Sequence, residues 1–424
     1  MPDARSIWRQ PGFLKLWTAQ TFTQLAAQMS FLAVPLVAVV TLDATPFQMG
    51  ILTALASLPS LLAGLQAGVL VDQHARRPIM IGADLARAFV LALIPIAWWL
   101  DLLSMPLLGL LVVLAGAASM LFDLAYQAFL PSVVSRDRLV DANSQMELSR
   151  TASELAGPGI GGLLLQLIGA PLTLLVNGGL HGLSALAIWI IRIVEPPTQR
   201  ERDQPPSLRG QIVEGLEAVW QSPVLRATIG ARGLLGFFNA VLEAVFVLYI
   251  VRVLDVEPVA IGVVFGIGGI GFLVGALLPS RTNQRLGFGT ATTLGALVIA
   301  ASDFLVPLAE GTGWLILPLL AAAQFFFGMG MTVFNVNGAR ARQLTVPGHL
   351  QGRASSISRF VAMSVVPAGA LLGGLLGDVI GLRETLLLAA GGELITAFWL
   401  WRSPLRRVRS LVDTGQPPVT LSTT

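Results

Sequence analysis

Ionisable side chains stand inside long apolar stretches of this sequence, where an isolated charge is costly and therefore suggests a function. Glu147, Arg150 and Glu154 are spaced by three and four residues, so a helix would place all three on one face. Arg150 could pair with either carboxylate, and Glu154 would lie about two turns beyond Glu147. The pattern makes all three candidates for proton coupling, with Glu154 as the proton carrier. An internal ion pair is the alternative.

A second polar stripe consists of Arg232, Asn239 and Glu243, with Gly236 between them. These residues share one helix face, but Arg232 and Glu243 would be about 16 Å apart, which is too far for a direct pair. Each would need another partner, a substrate or water. Because burial favours the neutral form of a carboxyl group, Glu243 is the strongest candidate for a side chain that takes up a proton. A glutamate satisfied by polar neighbours is the alternative.

Other polar side chains in apolar segments divide into two groups. One group, together with Arg232 and Asn239 of the second stripe, is a set of candidates for lining a substrate cavity: Gln20, Gln24, Gln28, Gln127, Gln324, Asn335 and Asn337. The other group consists of Asp303, which would lie about one turn from the outer end of its helix and could reach water, and of Glu393 and His181. For Glu393 and His181 we favour a packing role or a contact specific to one half of the chain.

The elements that position these side chains must be membrane-spanning helices. Hydrophobic residues make up 54% of the 424 and charged residues 12%, about half of the share in a soluble domain. The mean hydropathy is +0.75, and apolar runs of about 20 residues, enough to cross a bilayer, recur throughout. Because a helix satisfies its own backbone in lipid, these runs indicate an all-α integral membrane protein.

Several classes of function are excluded by what the sequence lacks. There is no cysteine, so disulfides and thiolate chemistry are excluded, and the three histidines are too far apart for a metal site. No phosphate-binding Gly-x-x-x-x-Gly-Lys-[Ser/Thr] loop occurs, and no nucleophile–base constellation suggests an enzyme. The net charge is only +3 despite a pI near 10.1, which disfavours a nucleic-acid partner. No cofactor is expected.

The hydropathy pattern predicts twelve spans with a long polar stretch after the sixth. We expect helices near residues 13–40, 47–71, 79–100, 104–130, 142–168, 171–193, 224–252, 258–279, 288–308, 313–338, 352–380 and 382–402. The chain then divides into a six-helix bundle at 1–194, a linker at 195–222 with a short amphipathic helix, a second bundle at 223–405 and a tail at 406–424. We expect the linker and tail to be cytoplasmic and the tail to be disordered.

Lysine and arginine in the connecting segments predict the orientation. They precede span 1, follow span 12, and occur between spans 2 and 3, 4 and 5, 6 and 7, 8 and 9, and 10 and 11. On the other side lie only Arg252 and Arg383, among seven acidic residues. The positive-inside rule therefore places both termini in the cytoplasm.

The two halves of the chain repeat each other at an offset of half its 424 residues, and we call residues related by this offset equivalent. "LDATPFQMG" at 42–50 matches "LDVEPVAIG" at 254–262, and "WRQP" at 8–11 matches "WQSP" at 220–223. "SRTASELAGP" at 149–158 matches "SRFVAMSVVP" at 358–367 at an offset of 209, and after this three-residue slip "TLLVNGG" at 173–179 matches "TLLLAAGG" at 385–392. We infer two six-helix halves of one parent, inserted in the same sense, which is a transporter architecture.

Two motifs of the first half resemble the major facilitator superfamily. "GVLVDQHARR" at 68–77 matches the loop motif Gly-x-x-x-Asp-Arg-x-Gly-Arg-Arg at Gly68, Asp72, Arg76 and Arg77, with Gln73 and Ala75 as departures. The resemblance implies a cytoplasmic latch, in which Arg76 reaches Asp123. Topogenic charge with a helix cap is the alternative.

"SELAGPGIGG" at 153–162 resembles the antiporter motif Gly-x-x-x-Gly-Pro-x-x-Gly-Gly of the same superfamily. Gly157, Pro158, Gly161 and Gly162 match, and Ser153 replaces the first glycine. The resemblance implies export by exchange with a cation, and a bent packing helix is the alternative.

Nearly the whole chain resembles the branch with macrolide-efflux and enterobactin-type exporters. This implies a multi-pass protein of a bacterial inner membrane, acting as a monomer, that exports an amphipathic organic molecule such as a drug by alternating access and proton antiport. The lipid bilayer and protons would be its other partners. The alternatives are a siderophore exporter, a lysophospholipid exporter or flippase, and a non-transporting ligand sensor on the same fold.

Overall fold

The computed structural model describes residues 7–62, 71, 73–193, 217, 219–346 and 350–408. The predicted linker helix lies almost entirely outside the described residues, as do the predicted disordered tail and the motif residues Gly68 and Asp72. The helices are α1 (Pro11–Leu36), α2 (Pro46–Leu62), α3 (Arg76–Trp99), α4 (Met105–Val133), α5 (Leu139–Ile168), α6 (Ala170–Trp189), α7 (Pro223–Arg252), α8 (Pro258–Leu286), α9 (Phe288–Leu308), α10 (Ile316–Thr345), α11 (Gln351–Ser364), α12 (Val366–Val379) and α13 (Leu382–Arg402).

Nine segments of the described chain are long and apolar enough to cross a membrane. One of them, Gln351–Val379, combines α11 and α12, and another extends α1 through a π-helical turn at Val37–Thr41. The helices α2, α5 and α13 add to these nine, which is consistent with twelve spans. The protein is therefore an all-α membrane protein, as the hydropathy pattern predicts.

Helix starts follow local sequence signals. Proline, which lacks an N–H, stands in the first turn of α1, α4, α6, α7 and α12, where that donor would have no partner. At the start of α2, Thr45 and Gln48 form a reciprocal capping box: the Gln48 amide donates to the Thr45 hydroxyl, and the Thr45 amide donates to the Gln48 side chain at 3.0 Å.

Two helices run past their predicted ends. Helix α8 continues to Leu286 rather than residue 279, and α10 continues to Thr345 rather than residue 338. Arg281 and Arg285 therefore lie on a helix, as do Arg340 and Arg342, and not in loops. The polar segments that follow the apolar runs are rich in arginine and glutamine, which are good helix formers, so the helices need not end where the hydrophobicity does.

The chain forms two compact units. The first unit comprises Met1–Gln48, Leu55–Glu201 and Val256–Gly266, and the second comprises Met49–Ala54, Arg202–Asp255 and Ile267–Thr424. Each unit therefore includes a short segment from the other half of the sequence. Large buried side chains form the core of the first unit, among them Phe13, Leu16, Met80, Phe122 and Phe129. In the second, Ala231, Ala296 and Ala341 pack with larger side chains such as Ile299 and Leu400.

The backbone repeats at the same offset as the sequence. The equivalent residues Asp43 and Asp255 both adopt left-handed φ values, 48° and 52°. Gly169 and Gly381, which are also equivalent, both have positive φ, 81° and 102°. Non-glycine residues rarely adopt this conformation, so its recurrence at Asp43 and Asp255 is specific. The matched "LDATPFQMG" and "LDVEPVAIG" segments are thus the same turn in each half.

Candidate functional site

The charged residues of α5 form one ion-pair cluster in the first unit. The guanidinium of Arg150 donates to both carboxylates, with Arg150 Nε at 3.0 Å from Glu147 Oε2 and a further contact to Glu154 Oε1. The Glu154 side chain is 29% exposed, against 61% for Glu147. One arginine therefore serves two acids, and the cluster carries a net negative charge when both carboxyls are ionised.

Helix α1 packs on α5 along the antiporter-like motif. A Cβ added to Gly157 would overlap Gln28, and one added to Gly161 would meet Met29 at 3.5–3.8 Å. Ser153 is buried beside them. Gln20 is also buried, and its Oε1 lies without a hydrogen-bond partner, whereas Gln24 and Gln28 are half-buried. The motif's small residues therefore allow α1 to pack close to α5. This packing sets the position of Gln20, Gln24 and Gln28 relative to α5.

The last glycine of the motif packs on the segment 256–266, which belongs to the same unit. A Cβ on Gly162 would lie 2.7 Å from the Pro258 carbonyl oxygen, and one on Gly262 would lie 2.5 Å from the Pro158 oxygen. In the second unit a Cβ on Gly50 would lie 2.5 Å from the Ala370 oxygen and 3.0 Å from the Gly374 Cα. Gly50 is equivalent to Gly262, and Gly374 is equivalent to Gly162. We call these two contacts the glycine crossings.

The polar stripe of α7 lies in the second unit. Arg232 donates to Asn335 Oδ1 on α10 at 3.1 Å, and its Nε lies buried without a partner. Asn239 is half-buried. Among the described residues, Glu243 has neither a hydrogen-bond partner nor an ion pair. Its side chain is exposed on α7, so its carboxyl group is accessible and does not lie in the packed core.

Three arginines of the second unit lie near one another without an acidic partner. Arg232 of α7 interacts electrostatically with Arg359 of α11 and with Arg342 of α10. Arg342 donates to the Ser358 hydroxyl at 3.3 Å. No carboxylate within the described ranges pairs with any of the three. We call Arg232, Arg342 and Arg359 the arginine cluster.

The remaining amide candidates differ in their surroundings. Gln127 is exposed on α4, and the half-buried Gln324 packs against Gly268 of α8. Asn337, in contrast, is fully buried and hydrogen-bonds Asn283 and Thr292. Asn337 therefore joins α8, α9 and α10 and does not line a cavity, and that expectation was wrong. An amide at a helix crossing and one at a cavity wall look alike in sequence.

The loop motif is only partly described. Arg77 donates to the carbonyl oxygens of Ile188, at 3.2 Å, and of Trp189, at the end of α6. A cation at a helix C-terminus is favourable, because the last carbonyls lack intrahelical donors. Asp123 is exposed on α4 and interacts electrostatically with Arg87. The contact of Arg76 with Asp123 stays a prediction.

A buried ionic network in the first unit was not expected from the sequence. Asp84 of α3 pairs with Arg87 one turn away, accepts a hydrogen bond from Ser184 at 2.6 Å, and contacts His181 Nδ1 at 3.3 Å. All four side chains are buried. Two opposite charges three residues apart inside an apolar span were a usable signal. The contribution of His181 and Ser184, which lie on the distant α6, was not visible in the sequence.

A contrasting pair lies in the second unit. Asp303 of α9 and Glu393 of α13 are 3% and 0% exposed, so the expectation that Asp303 reaches water was wrong. The two carboxyl groups interact with each other. Nevertheless both Glu393 oxygens and Asp303 Oδ2 lack a hydrogen bond of good geometry, and so does the buried Thr396 hydroxyl.

Known sequences similar to this chain are transport proteins. An MFS family profile described as "Transmembrane secretion effector" matches residues 4–419. The multidrug efflux pump Tap of Mycobacterium tuberculosis is 30% identical over 418 residues, which cover 94% of each chain. Macrolide efflux protein A of Streptococcus pyogenes is 25% identical over 364 residues, which cover 84% of this chain and 86% of that protein.

Solved structures show the same fold at lower identity. The nucleoside transporter NupG superposes with a TM-score of 0.73 at 14% identity, covering 92% of this chain and 98% of that one. A bacterial homologue of the iron transporter ferroportin, in an inward-facing state, also has a TM-score of 0.73, at 18% identity, covering 94% and 100%. At these identities the likeness concerns the fold alone.

Proposed function

Because the chain belongs to the major facilitator superfamily, we propose that it exports an amphipathic organic molecule across the bacterial plasma membrane in exchange for protons. The family and its relatives are transporters of small molecules and not enzymes. The names of the Tap and macrolide efflux relatives support outward transport of drug-like compounds. In this proposal the protein works as a monomer by alternating access, with both termini in the cytoplasm.

The observation that carries the proton-coupling part is the unpartnered carboxyl group of Glu243. It stands on the same α7 face as Asn239 and Arg232, near no compensating charge of the described residues. A carboxylate in such a place gains from binding either a proton or a cationic group of a substrate. Alternate occupation by the two would couple their opposite movements.

The energetics of this exchange are sufficient. A proton that moves inward through a membrane potential of 100 mV releases about 2.3 kcal/mol. A tenfold concentration ratio of a neutral substrate requires about 1.4 kcal/mol. One proton for each substrate molecule therefore sustains a useful gradient without ATP.

The α5 ion-pair cluster would contribute a second titratable group. Arg150 is shared between Glu147 and Glu154, so neither acid has a cation to itself. Protonation of the more buried Glu154 would leave Arg150 and Glu147 as a neutral pair. We propose Glu154 as an auxiliary proton carrier and Arg150 as the residue that holds both carboxylates. The loop latch at Arg76, Arg77 and Asp123 would act at the cytoplasmic end.

The test is gradient-driven efflux by the Glu243→Gln variant in proteoliposomes. Glutamine preserves the shape but cannot bind and release a proton, so we expect export driven by an imposed pH gradient to be abolished. Equilibrium binding of a neutral substrate should remain within roughly tenfold of wild type, because a lost neutral hydrogen bond costs only about 0.5–1.5 kcal/mol. Glu217→Gln, at an exposed position before α7, is the matched control and should export normally.

Three outcomes would contradict the proposal. Unchanged gradient-driven export by Glu243→Gln would remove Glu243 from coupling. Wild-type export that ignores the pH gradient would exclude proton antiport. Substrate binding without any flux would favour the ligand sensor.

The arginine cluster favours a second candidate, an anionic amphipath such as a lysophospholipid or a siderophore. Three guanidinium groups without acidic partners form a strong site for a phosphate or carboxylate group. A cationic or neutral drug would gain nothing from them. Paired flux measurements with a neutral macrolide and a lysophospholipid distinguish the two candidates, since only the second substrate needs the cluster.

A further inference from the structure

Asp303 and Glu393 form a buried pair of acids on two neighbouring helices of the second unit. They lie on α9 and α13, with almost no accessible surface, and their carboxyl groups interact with each other. Three of their four oxygens lack a hydrogen bond of good geometry, and so does the hydroxyl of Thr396. Thr396 stands three residues after Glu393 and therefore on the same face of α13.

No cation among the described residues compensates the pair. The elements packed against α9 and α13 are α7, α10, α12 and the 3-10 turn Pro404–Arg407. Within the described part of the chain, the only charged group that interacts with either carboxyl is the other carboxyl. The remaining ionisable side chains of these elements and of α13 interact with neither: Arg226, Arg232, Glu243, Tyr249, Arg252, Arg340, Arg342, Asp378, Arg383, Glu384, Arg402 and Arg406.

Two carboxylates in contact, away from water and from any cation, cannot both remain ionised. At least one proton must lie between Asp303 and Glu393, and the oxygens without partners offer room for a second. The Thr396 hydroxyl also lacks a partner, and on the same face of α13 as Glu393 it is a donor that a small side-chain movement would bring to the charged oxygen. The pair can therefore hold either one proton or two.

The equivalent place in the first half is built differently. His181 is equivalent to Glu393, and Ser184 is equivalent to Thr396. In the first unit these two side chains meet the carboxylate of Asp84, and Arg87 supplies a permanent positive charge. The equivalent of Arg87 in the second half is the apolar Ile299. The first half thus contains a neutralised network, whereas the second half contains an acid pair that only a bound cation can neutralise.

We propose that Asp303 and Glu393, assisted by the Thr396 hydroxyl, bind an exchangeable proton whose uptake and release accompany transport. This inference rests on the proposed proton antiport and adds to it a site remote in sequence from Glu243. A proton is lost from the pair as one carboxyl ionises, and it is regained when that carboxylate is protonated. The pair would therefore contribute to the number of protons exchanged for each substrate molecule.

The experiment measures protons released or taken up by the purified full-length protein when substrate is added in weakly buffered solution. In the Asp303→Asn/Glu393→Gln double variant, we expect about one proton fewer per protein than in wild type, because neither amide titrates. The infrared absorption of buried protonated carboxyl groups should fall in the same variant. Asp141→Asn, at an exposed position of α5, is the control and should match wild type.

A second variant controls for the possibility that the double variant does not fold. Asp303→Leu/Glu393→Met replaces the acid pair by apolar side chains of similar volume, which carry no proton and are often neutral or stabilising in place of buried charged groups. It should unfold thermally at or above the wild-type temperature and still show the reduced proton exchange. Wild-type proton exchange in either folded variant would overturn the inference.

The two proposals fail in different ways. If wild-type export ignores a pH gradient, the antiport proposal fails for every site. If wild-type export follows the gradient but the double variant keeps the wild-type proton number, only the acid pair is excluded. If a sodium gradient alone is sufficient to drive wild-type export, the pair is assigned to sodium and the proton assignment is overturned.

Discussion

Arg232 is the single residue at which a preference for an anionic substrate can be tested. It bonds Asn335 with one nitrogen, leaves its buried Nε without a partner, and interacts with two further arginines. Like charges that remain close together are unfavourable unless an anion or water intervenes. A guanidinium with an unused donor is therefore poised to bind a carboxylate or phosphate group.

We expect Arg232→Gln to weaken binding of an anionic amphipath about tenfold or more, because hydrogen bonds to charged groups contribute about 1.5–3 kcal/mol. Binding of a neutral macrolide should change by less than threefold. Equilibrium binding of each compound to the purified protein checks both values. Arg285→Gln, at an exposed position of α8, should alter neither. Equal losses for both compounds would mean that Arg232 supports the fold and does not select for charge.

At the residue scale, the sequence predicted contacts within a helix better than contacts between helices. The spacing of Glu147, Arg150 and Glu154 sufficed to predict that Arg150 could reach either acid, and it contacts both. The environment of Asp303 depends on its contact with α13, which is distant in sequence, and the sequence pattern misjudged it. Burial by a distant helix cannot be read from local periodicity.

At the element scale, helix α5 combines two tasks along one motif. Its Gly157 and Gly161 contact α1, whereas Gly162 contacts the segment 256–266 through one of the glycine crossings. Small residues permit such backbone approach between helices, where packing, rather than the hydrophobic effect, holds the helices together. The resemblance to the antiporter motif marked these positions, and the structure supplies a packing partner for each of the three glycines.

Gly162→Val should disrupt the crossing, because its side chain would overlap the Pro258 carbonyl. Overpacking typically costs about 1–3 kcal/mol, and we expect both a lower unfolding temperature and loss of export. Gly50→Val should act in the same way on the crossing of the second unit. Gly159→Val is the matched control on α5, since nothing lies within 4 Å of its Cβ position. Normal export by Gly162→Val would show that close approach is dispensable.

Helix positions were predictable, but helix ends were not. Apolar runs of membrane-spanning length set the centres of the spans, because the bilayer leaves the backbone few other choices. The ends of α8 and α10 lie beyond the predicted 279 and 338, at Leu286 and Thr345. Hydropathy indicates where a helix enters water, whereas capping and helix propensity decide where it ends.

At the scale of the whole molecule, the duplication explains both the symmetry and the departures from it. The left-handed turns at Asp43 and Asp255 and the two glycine crossings repeat at the same offset. Candidate site residues do not repeat: Gln20 corresponds to Arg232, and His181 corresponds to Glu393. A duplicated scaffold can keep its packing in both copies while one copy changes its charges. Of the candidate coupling residues, Glu243, Asp303 and Glu393 lie in the second half, whereas the auxiliary Glu154 lies in the first.

The duplication predicts that the two halves have the same orientation in the membrane. Because the chain has no cysteine, this prediction can be tested with single introduced cysteines. We expect two halves with six spans each to insert in the same sense, which would put equivalent turns on the same side. Thr45 and Glu257 occupy equivalent exposed positions before α2 and α8, and the distribution of arginine predicts that both lie outside. Ser135 and Gln284 are exposed at the opposite ends of the helices and should be cytoplasmic.

Single cysteines at these four positions, introduced into the cysteine-free chain, report the orientation directly. A membrane-impermeant maleimide should label Thr45→Cys and Glu257→Cys on intact cells, and Ser135→Cys and Gln284→Cys only after permeabilisation. The unsubstituted protein should remain unlabelled in both conditions. Labelling of Thr45→Cys and Glu257→Cys from opposite sides would contradict parallel insertion of the halves. Reversal of all four would contradict the cytoplasmic placement of the termini while leaving the duplication intact.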